Sequence, residues 1–555
     1  MSKKFRGKPM FKRRTLVLCC SIAWGQAAMA MEIPVADSDV KVRWDNTVKY
    51  SVMYRLNNPS EKIAGGDAMV GPPPFLNPGR QLDDGDRNFR RGVVSNRVDL
   101  FSELDLAYKN LGMRLSGAAW YDDVYHRGND NRSDSVNSSS APAGKFTRGT
   151  RDMVGTKAEL LDAFVYFKSD ESAETPFMVR AGKHTVLYGE SLFFGANGIA
   201  NAQAPVDVIK LLSVPGSQFK EIIRPVGQVS TQVQLNPKVS MGAYYQYDWQ
   251  KSRLPASGSF LSSADFIGAG SENLFPGTPL AMTYAGDLKP KADQGGLQLR
   301  LKPGSGDVEY GFYLAQYNDK APQIMMDPGN RYRLVYAEKI KTAGASFSTV
   351  LGDANVSGEV SYRWNAPLVS GPQIDPGLVS NGRNNPLYAV GKTAHAQISA
   401  IYLMGANSLW DGAELLGELA WNRTLSVDKN PLALDTNVSR DATAVRMIFA
   451  PQYFQALPNL DLSVPIGIGY NISGRSSAVG NFNGGAEHGG DVSIGLKGEY
   501  QKQWRFALNY THFFGKENAM LTQNTDASNP ALYMLTGAQS LRDRNFVSFT
   551  VQTTF

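Results

Sequence analysis

The sequence predicts an all-β protein: a transmembrane outer-membrane β-barrel of about 18 antiparallel strands with one loop folded inward. Three observations predict it. The closing stretch Asn545–Phe555 alternates, with Val547, Phe549, Val551, Thr553 and Phe555 on one face and Ser548, Thr550, Gln552 and Thr554 on the other. Successive strand residues point to opposite faces, so one side suits lipid and the other water. Phe546 is the exception to that alternation. Second, long and short connections take turns along the chain. Third, 555 residues of slightly negative mean hydropathy contain no run of 18 apolar residues, which excludes spanning helices.

Alternating segments fall near Lys41–Tyr54, Val98–Tyr108, Met113–Tyr125, Ala158–Lys168, Phe177–His184, Val226–Leu235, Val239–Trp249, Gly295–Lys302 and Val308–Tyr317. The second half continues with Tyr332–Val350, Asn355–Trp364, Thr393–Met404, Ala413–Arg423, Ala442–Tyr453, Leu460–Asn471, Val492–Tyr500, Trp504–Phe514 and Asn545–Phe555. Short turns at Lys109–Gly112, Asn236–Lys238, Pro303–Gly306, Leu351–Ala354, Leu457–Asn459 and Gln501–Gln503 carry the Gly, Pro and Asn that tight bends require. Long polar segments lie at Arg55–Arg97, His126–Lys157, Gln250–Gln294, Asn365–Lys392 and Gly515–Arg544. With both termini in the periplasm, every long segment lands outside and every short one inside, as outer-membrane barrels require. Charges follow the polar faces, since a cation at mid-bilayer costs roughly 2–4 kcal/mol. Arg505 opposes Phe506, Glu359 and Arg363 oppose Val360 and Tyr362, and Arg300 opposes Leu299. Trp120/Tyr121, Tyr247/Trp249 and Trp504 read as interfacial anchors.

Residues 1–30 read as a cleaved signal peptide: a basic start from Lys3 to Arg14, an apolar stretch from Thr15 to Trp24, and Ala28-Met29-Ala30 for cleavage. The remaining 31–555 reads as one barrel domain. The leader's seven cations account for the formal charge of +6: 57 basic residues less these seven leaves 50 against 51 acidic. Nothing basic remains to point to nucleic acid. Both cysteines, Cys19 and Cys20, also lie in the leader, which excludes disulfides and thiolate sites from the rest.

The connection 185–225 differs from the other outer segments. Leu187, Leu192, Phe193, Phe194, Ile199, Ile209 and Leu212 make it too apolar for an exposed loop, so it is expected to fold inward and narrow the lumen. Pro205 precedes a short helical turn, ended by Pro215-Gly216. The lumen and constriction candidates are Arg180, Lys183, Glu190, Asp207, Lys210, Glu221 and Arg224 from this region. Asp99, Glu103, Asp105, Arg300 and Arg363 join them from the strands. Interspersed charges of both signs read as wall-filling pairs individually and as an orienting channel lining collectively.

The run Arg180-Ala181-Gly182-Lys183-His184-Thr185-Val186-Leu187-Tyr188-Gly189-Glu190-Ser191 carries a resemblance, followed by Asn197-Gly198-Ile199, Asp207, Lys210-Leu211, Pro215-Gly216 and Glu221. It resembles the proteobacterial outer-membrane family catalogued as domain of unknown function DUF1302. Tyr188 stands where that family has Trp, and His184 where Gln is usual. The resemblance implies a barrel whose genes often neighbour inner-membrane pumps of the resistance-nodulation type and catabolic genes for hydrophobic compounds. It implies no catalytic residues.

No catalysis and no cofactor are expected. Gly189-Glu190-Ser191 lacks the last glycine of a nucleophile elbow, where Phe193 stands. His126, His184, His395, His488 and His512 show no metal spacing. Asp83-Asp84-Gly85-Asp86 and Asn129–Asp134 are acidic loops without the distal Glu of a calcium hand, and read as solvated. The expected function is passage of small molecules, hydrophobic ones included, across the outer membrane of a Gram-negative bacterium. The alternative is a non-conducting barrel that docks a periplasmic lipoprotein and an inner-membrane pump in export or envelope assembly. The expected partners are outer-membrane lipid and the barrel-assembly machinery, which would read the strand ending in Phe555.

Overall fold

A computed structural model describes residues 31–34, 39–64, 69–70, 75–76, 82–132, 136–214, 217, 219–276, 281–291, 293–304, 306–523 and 533–555. The leader 1–30 and Pro215-Gly216 lie outside the described residues. Eighteen antiparallel strands form one closed sheet. They are β1 Val40–Arg55, β2 Gly92–Tyr108, β3 Leu111–Asp122, β4 Thr156–Lys168, β5 Phe177–His184, β6 Val226–Asn236, β7 Val239–Gln246, β8 Gln294–Leu301 and β9 Glu309–Tyr317, then β10 Ile340–Leu351, β11 Ala354–Pro367 and β12 Val390–Met404. The rest are β13 Gly412–Lys429, β14 Asp441–Leu457, β15 Leu460–Ser463 continued by Ile466–Ser473, β16 Gly490–Tyr500, β17 Trp504–Phe514 and β18 Phe546–Thr554. Each pairs with the next in sequence, and β18 closes on β1 from Thr47↔Thr554 to Arg55↔Phe546. Closure leaves no unpaired edge, which is the condition for a sheet to cross lipid. The short strand Met31–Pro34 folds back along the start of β1.

The parity expected from the sequence holds. On one rim the connections are 109–110, 169–176, 237–238, 302–308, 352–353, 405–411, 458–459 and 501–503. The longest of these is shorter than 430–440, the shortest connection on the other rim. Tight turns use positive φ where the sequence offers it, as at Gly352 and Asn459.

Outward faces are apolar: Val98, Leu100, Leu160, Leu297, Leu314, Val360, Leu419, Ile468, Leu508 and Phe549 are exposed, while their polar neighbours Asp99, Gln298, Glu359 and Glu418 are buried. In a soluble protein this pattern would be inside out. Burial of polar groups facing inward and exposure of grease facing outward defines a lipid-facing wall.

The hydrophobic core sits at the outer rim. Met53, Phe89, Tyr125, Phe146, Ile209, Phe260, Phe513 and Phe546 form one cluster, with Phe89 within 5.7–5.9 Å of three other rings. This explains Phe546: it points inward at the outer end of β18 and packs with the loops. A second cluster joins Leu82, Phe266, Phe275, Tyr332, Leu334 and Tyr336.

Several expectations are corrected. Tyr332–Val350 is not one strand. Arg331–Val335 pairs with Gln323–Asp327 and Met282–Leu288 in a separate five-stranded sheet of the outer loops, and β10 begins at Ile340 after a positive-φ Lys339. Both sheets bury one face, so alternation cannot separate them. Trp120 is no interfacial anchor: it is buried and faces inward. Trp249 packs on Tyr336 among the outer loops. Asp83, Asp84 and Asp86 are not solvated. They are buried around two fully buried arginines, Arg55 and Arg544. Arg55 pairs with Asp86 at 2.6 Å and Asp543 at 3.1 Å, and Arg544 with Asp83 and, at 3.4 Å, Asp86.

Candidate functional site

The barrel interior is the candidate site, and the described residues of 185–225 run through it. Among the described residues the segment's only strand-like pairings are the isolated bridges Val206↔Ile223 and Asp207↔Arg253, so the buried backbone groups of its first part must find acceptors and donors elsewhere. The polar faces of β11, β12 and β13 supply them. The Glu359 carboxylate accepts from the Glu190 amide (2.6 Å), the Ile199 amide (2.9 Å) and Gln397 Nε2 (3.0 Å). Glu418 accepts from the amides of Leu192 (3.1 Å), Phe193 and Phe194 (2.9 Å). Arg363 Nη2 donates to the carbonyls of Ala196 (3.1 Å), Asn197 (2.8 Å) and Gly198 (2.9 Å). Charged side chains make the stronger class of hydrogen bond, and here two carboxylates take amides while one guanidinium takes carbonyls.

Asn197 completes the attachment. Its Nδ2 donates to Gln397 Oε1 and the Trp421 carbonyl, both at 3.2 Å, and its Oδ1 accepts from Asn422 Nδ2 at 3.2 Å and meets His395 Nδ1 at 3.0 Å. Two glycines are needed for this fit. Gly189 has φ +95°, and a Cβ on Gly189 or on Gly198 would collide with the Glu359 carboxylate. The glycines of the Gly189-Glu190-Ser191 and Asn197-Gly198 motifs thus admit one wall carboxylate to the backbone.

The other end of the segment lies against β2–β4. A helix, Val208–Ser213, begins at Asp207, whose side chain caps the Lys210 amide at 3.0 Å. Asp207 also takes Arg253 at 2.6 Å, and the same guanidinium bonds Glu159. Lys210 is buried, 4.0 Å from Glu221 and 5.3 Å from the Trp120 ring. Arg97 lies 4.7 Å from that ring and holds Asp99 through Nε at 2.9 and 3.0 Å. Arg253 lies 5.8 Å from the ring as well, so Trp120 forms an aromatic floor under three cations.

Arg300 bridges Glu190 (2.9 Å) and Glu309 (2.7 Å). Glu103 pairs with Arg114, which lies 3.8 Å from Asp105. Arg224 donates to the Lys251 carbonyl at 3.0 Å, Arg180 approaches Met178 Sδ at 3.3 Å, and Lys183 donates to the Leu160 carbonyl. Glu190 and Arg300 thus meet each other, Arg363 meets the segment at 196–198, and Asp207, Lys210, Glu221 and Asp99 gather near Trp120. Glu103 and Asp105 stand apart with Arg114. Not legible from the sequence were Glu418, Glu359, Arg253 and Glu159 as partners of the segment, and Asn197 as its own point of attachment. The available signal was a mid-strand carboxylate flanked on its face by neutral residues, as Glu359 is by Ser357 and Ser361.

Among the described residues Ser191 Oγ is buried with no hydrogen-bond partner, histidine included. Among the described residues no three His, Cys, Asp or Glu side chains are arranged to hold a metal ion.

A closed eighteen-stranded sheet with a lipid-facing exterior, a polar interior and long connections on one rim is an outer-membrane barrel of the porin type. The chain belongs to the DUF1302 family of proteins of unknown function, whose profile matches residues 12–555. No functionally curated protein matches it. Among solved structures it is similar to the outer-membrane channel DcaP of Acinetobacter baumannii (8% identity, 94% of this chain and 99% of that one, TM-score 0.38). It is also similar to OccAB4 of Acinetobacter baumannii (9%, 93% and 98%, 0.41) and to OpdK of Pseudomonas aeruginosa, solved with vanillate (8%, 93% and 98%, 0.39). These are likenesses of fold alone.

Proposed function

We propose that this protein is a channel for small, partly apolar molecules, narrowed by the segment 185–225. One observation carries the reading: the segment's backbone is bonded across the interior to Glu359, Arg363 and Glu418 of strands far from those it connects. A loop that only covered a rim would not use mid-strand wall charges. Interior cations with a carboxylate partner include Arg97, Arg114, Arg253, Arg300 and Arg446, while Arg224 and Arg363 are held by backbone carbonyls. Paired charges leave little net field, which supports passage of neutral or zwitterionic solutes over simple ions. Tyr188 of the segment packs against Tyr244 and Tyr313 of the wall, ring centroids 5.5 and 6.2 Å away, in a buried aromatic cluster that seats the segment.

The test is planar-bilayer recording of the mature protein beside a deletion of Ile199–Ser213. Resolved conductance steps that grow on deletion support the channel. The second reading, a non-conducting docking barrel, is favoured by the packed aromatic core over the outer mouth. Absence of steps in both proteins would decide for it.

A further inference from the structure

The outer wall carries a feature that a lipid-facing belt does not need. Five outward residues form one lateral row in direct register: Tyr245↔Gly295, Gly295↔Gln316, Gln316↔Lys341 and Lys341↔Trp364. The row lies at the outer ends of β7–β11, because β8 starts after the long connection 247–293. Tyr245 and Trp364 are exposed aromatics, the residue type that marks a membrane interface. Between them Gly295 has no side chain, and the wall is notched by a groove of about 860 Å³. That volume is within the range of small-ligand sites. Its membrane side is apolar, Leu297 and Leu314 being 54% and 60% exposed. Its upper side carries Lys339 and Lys341.

Neither lysine has an ion-pair partner among the described residues, although acids are near. Arg383 takes Glu338 at 2.8 Å and Asp293 at 3.9 Å, and Lys251 takes Asp287 at 2.6 Å. Asp319 accepts from the amides of Lys320 and Ala321. Asn318 fixes the cationic edge: its Oδ1 accepts from the Lys339 amide at 3.0 Å and its Nδ2 donates to the Lys291 carbonyl at 2.7 Å. A third lysine, Lys291, itself exposed, has its backbone thereby tied beside the pair. Uncompensated cations immediately above a lipid-facing notch complement one kind of molecule: an anionic amphiphile lying in the outer leaflet.

We propose that this groove binds the phosphorylated, multiply acylated glucosamine lipid of the outer leaflet, the lipid A part of lipopolysaccharide. Its phosphates sit on Lys339 and Lys341, and an acyl chain lies along Leu297 and Leu314 between the two aromatics. The site is independent of conduction, since it faces lipid and shares no residue with the segment 185–225.

The test is native mass spectrometry of the full mature barrel in detergent, titrated with defined bisphosphorylated hexa-acyl lipid A. The comparison ligands are the same lipid without phosphates, phosphatidylglycerol and inorganic phosphate. Wild type is expected to retain one bisphosphorylated lipid, and Lys339→Gln with Lys341→Gln to weaken retention at least tenfold. Lys339→Arg with Lys341→Arg should keep it, and the heat-modifiable gel shift of a folded barrel should be the same in all three proteins. Undiminished binding by the Gln pair overturns the site. Equal binding of the dephosphorylated lipid or of phosphatidylglycerol overturns the ligand assignment, as does full competition by inorganic phosphate.

Discussion

Replacing Glu418 by Ala removes the acceptor of three consecutive backbone amides, Leu192, Phe193 and Phe194. A hydrogen bond to a charged group contributes about 1.5–3 kcal/mol net, so three give an upper bound of roughly 5–9 kcal/mol. The interior is polar and water can re-solvate part of what is freed, and Glu359 and Arg363 still hold Ile199 and Ala196–Gly198. We therefore expect a loss of about 2–4 kcal/mol in holding the segment against the wall. At about 1.4 kcal/mol per tenfold, the released population rises roughly 30- to 1,000-fold. Hydrogen exchange of the barrel in nanodiscs reads this directly: amides of 192–194 should lose protection by that factor while strand amides of β12 and β13 keep theirs. Glu418→Gln, which keeps one acceptor oxygen, should fall between Ala and wild type. Unchanged protection at 192–194 in Glu418→Ala would refute the claim that this carboxylate anchors the segment, as would equal losses throughout β12 and β13.

Gly198→Ala should act on the same anchor from the other side, pushing Glu359 off the Ile199 amide and raising exchange at 198–199 at least tenfold. Exchange like wild type would show that the close approach is dispensable. Arg300→Ala leaves Glu190 and Glu309 unpaired, so the reversal potential under a KCl gradient should move toward cation preference, and a shift toward anions would contradict the pairing. Arg544→Ala leaves Asp83 and Asp86 facing fewer cations in a buried site, which costs about 3–5 kcal/mol. Limited proteolysis should then cut near 256–262 while the barrel keeps its heat-modifiable mobility; resistance equal to wild type would count against the clamp. The same cluster makes the outer loops pH-dependent. Burial, with Asp86 adding and Arg544 opposing, raises Asp83 from 3.8 to about 6 and Asp543 to about 7. A carboxyl with a raised folded value holds its proton more tightly folded than unfolded, so this contribution grows as pH falls from about 7 to about 4 and is level below. Protection of 256–262, corrected for intrinsic exchange, should rise across that window, and a fall would refute the assignment.

The strand count, the rim parity and the two faces were legible because each depends on residues close in sequence. Val547 and Phe549 against Ser548 and Thr550 declare a wall whatever stands beside it, and Leu457-Pro458-Asn459 turns without outside help. The segment Tyr332–Val335 was misread for the same reason: its alternation is real, but it belongs to a sheet of outer loops. Trp120 was misread because an aromatic at a strand end faces lipid or lumen according to a register that neighbouring residues alone leave open.

By itself, the sequence determined a closed eighteen-stranded wall, greasy outside and wet inside, with its excursions on one rim. Period-two alternation and turn chemistry carry that information locally. Only the tertiary structure decided that Glu359, Arg363 and Glu418 receive the backbone of 190–199, and that Arg55 and Arg544 gather aspartates from distant loops. It alone also laid Gly295, Gln316 and Lys341 side by side in one outward row. Those partners lie far apart in the chain, and closure of the barrel and the path of the loops across it select them from many interior and rim groups of the same charge.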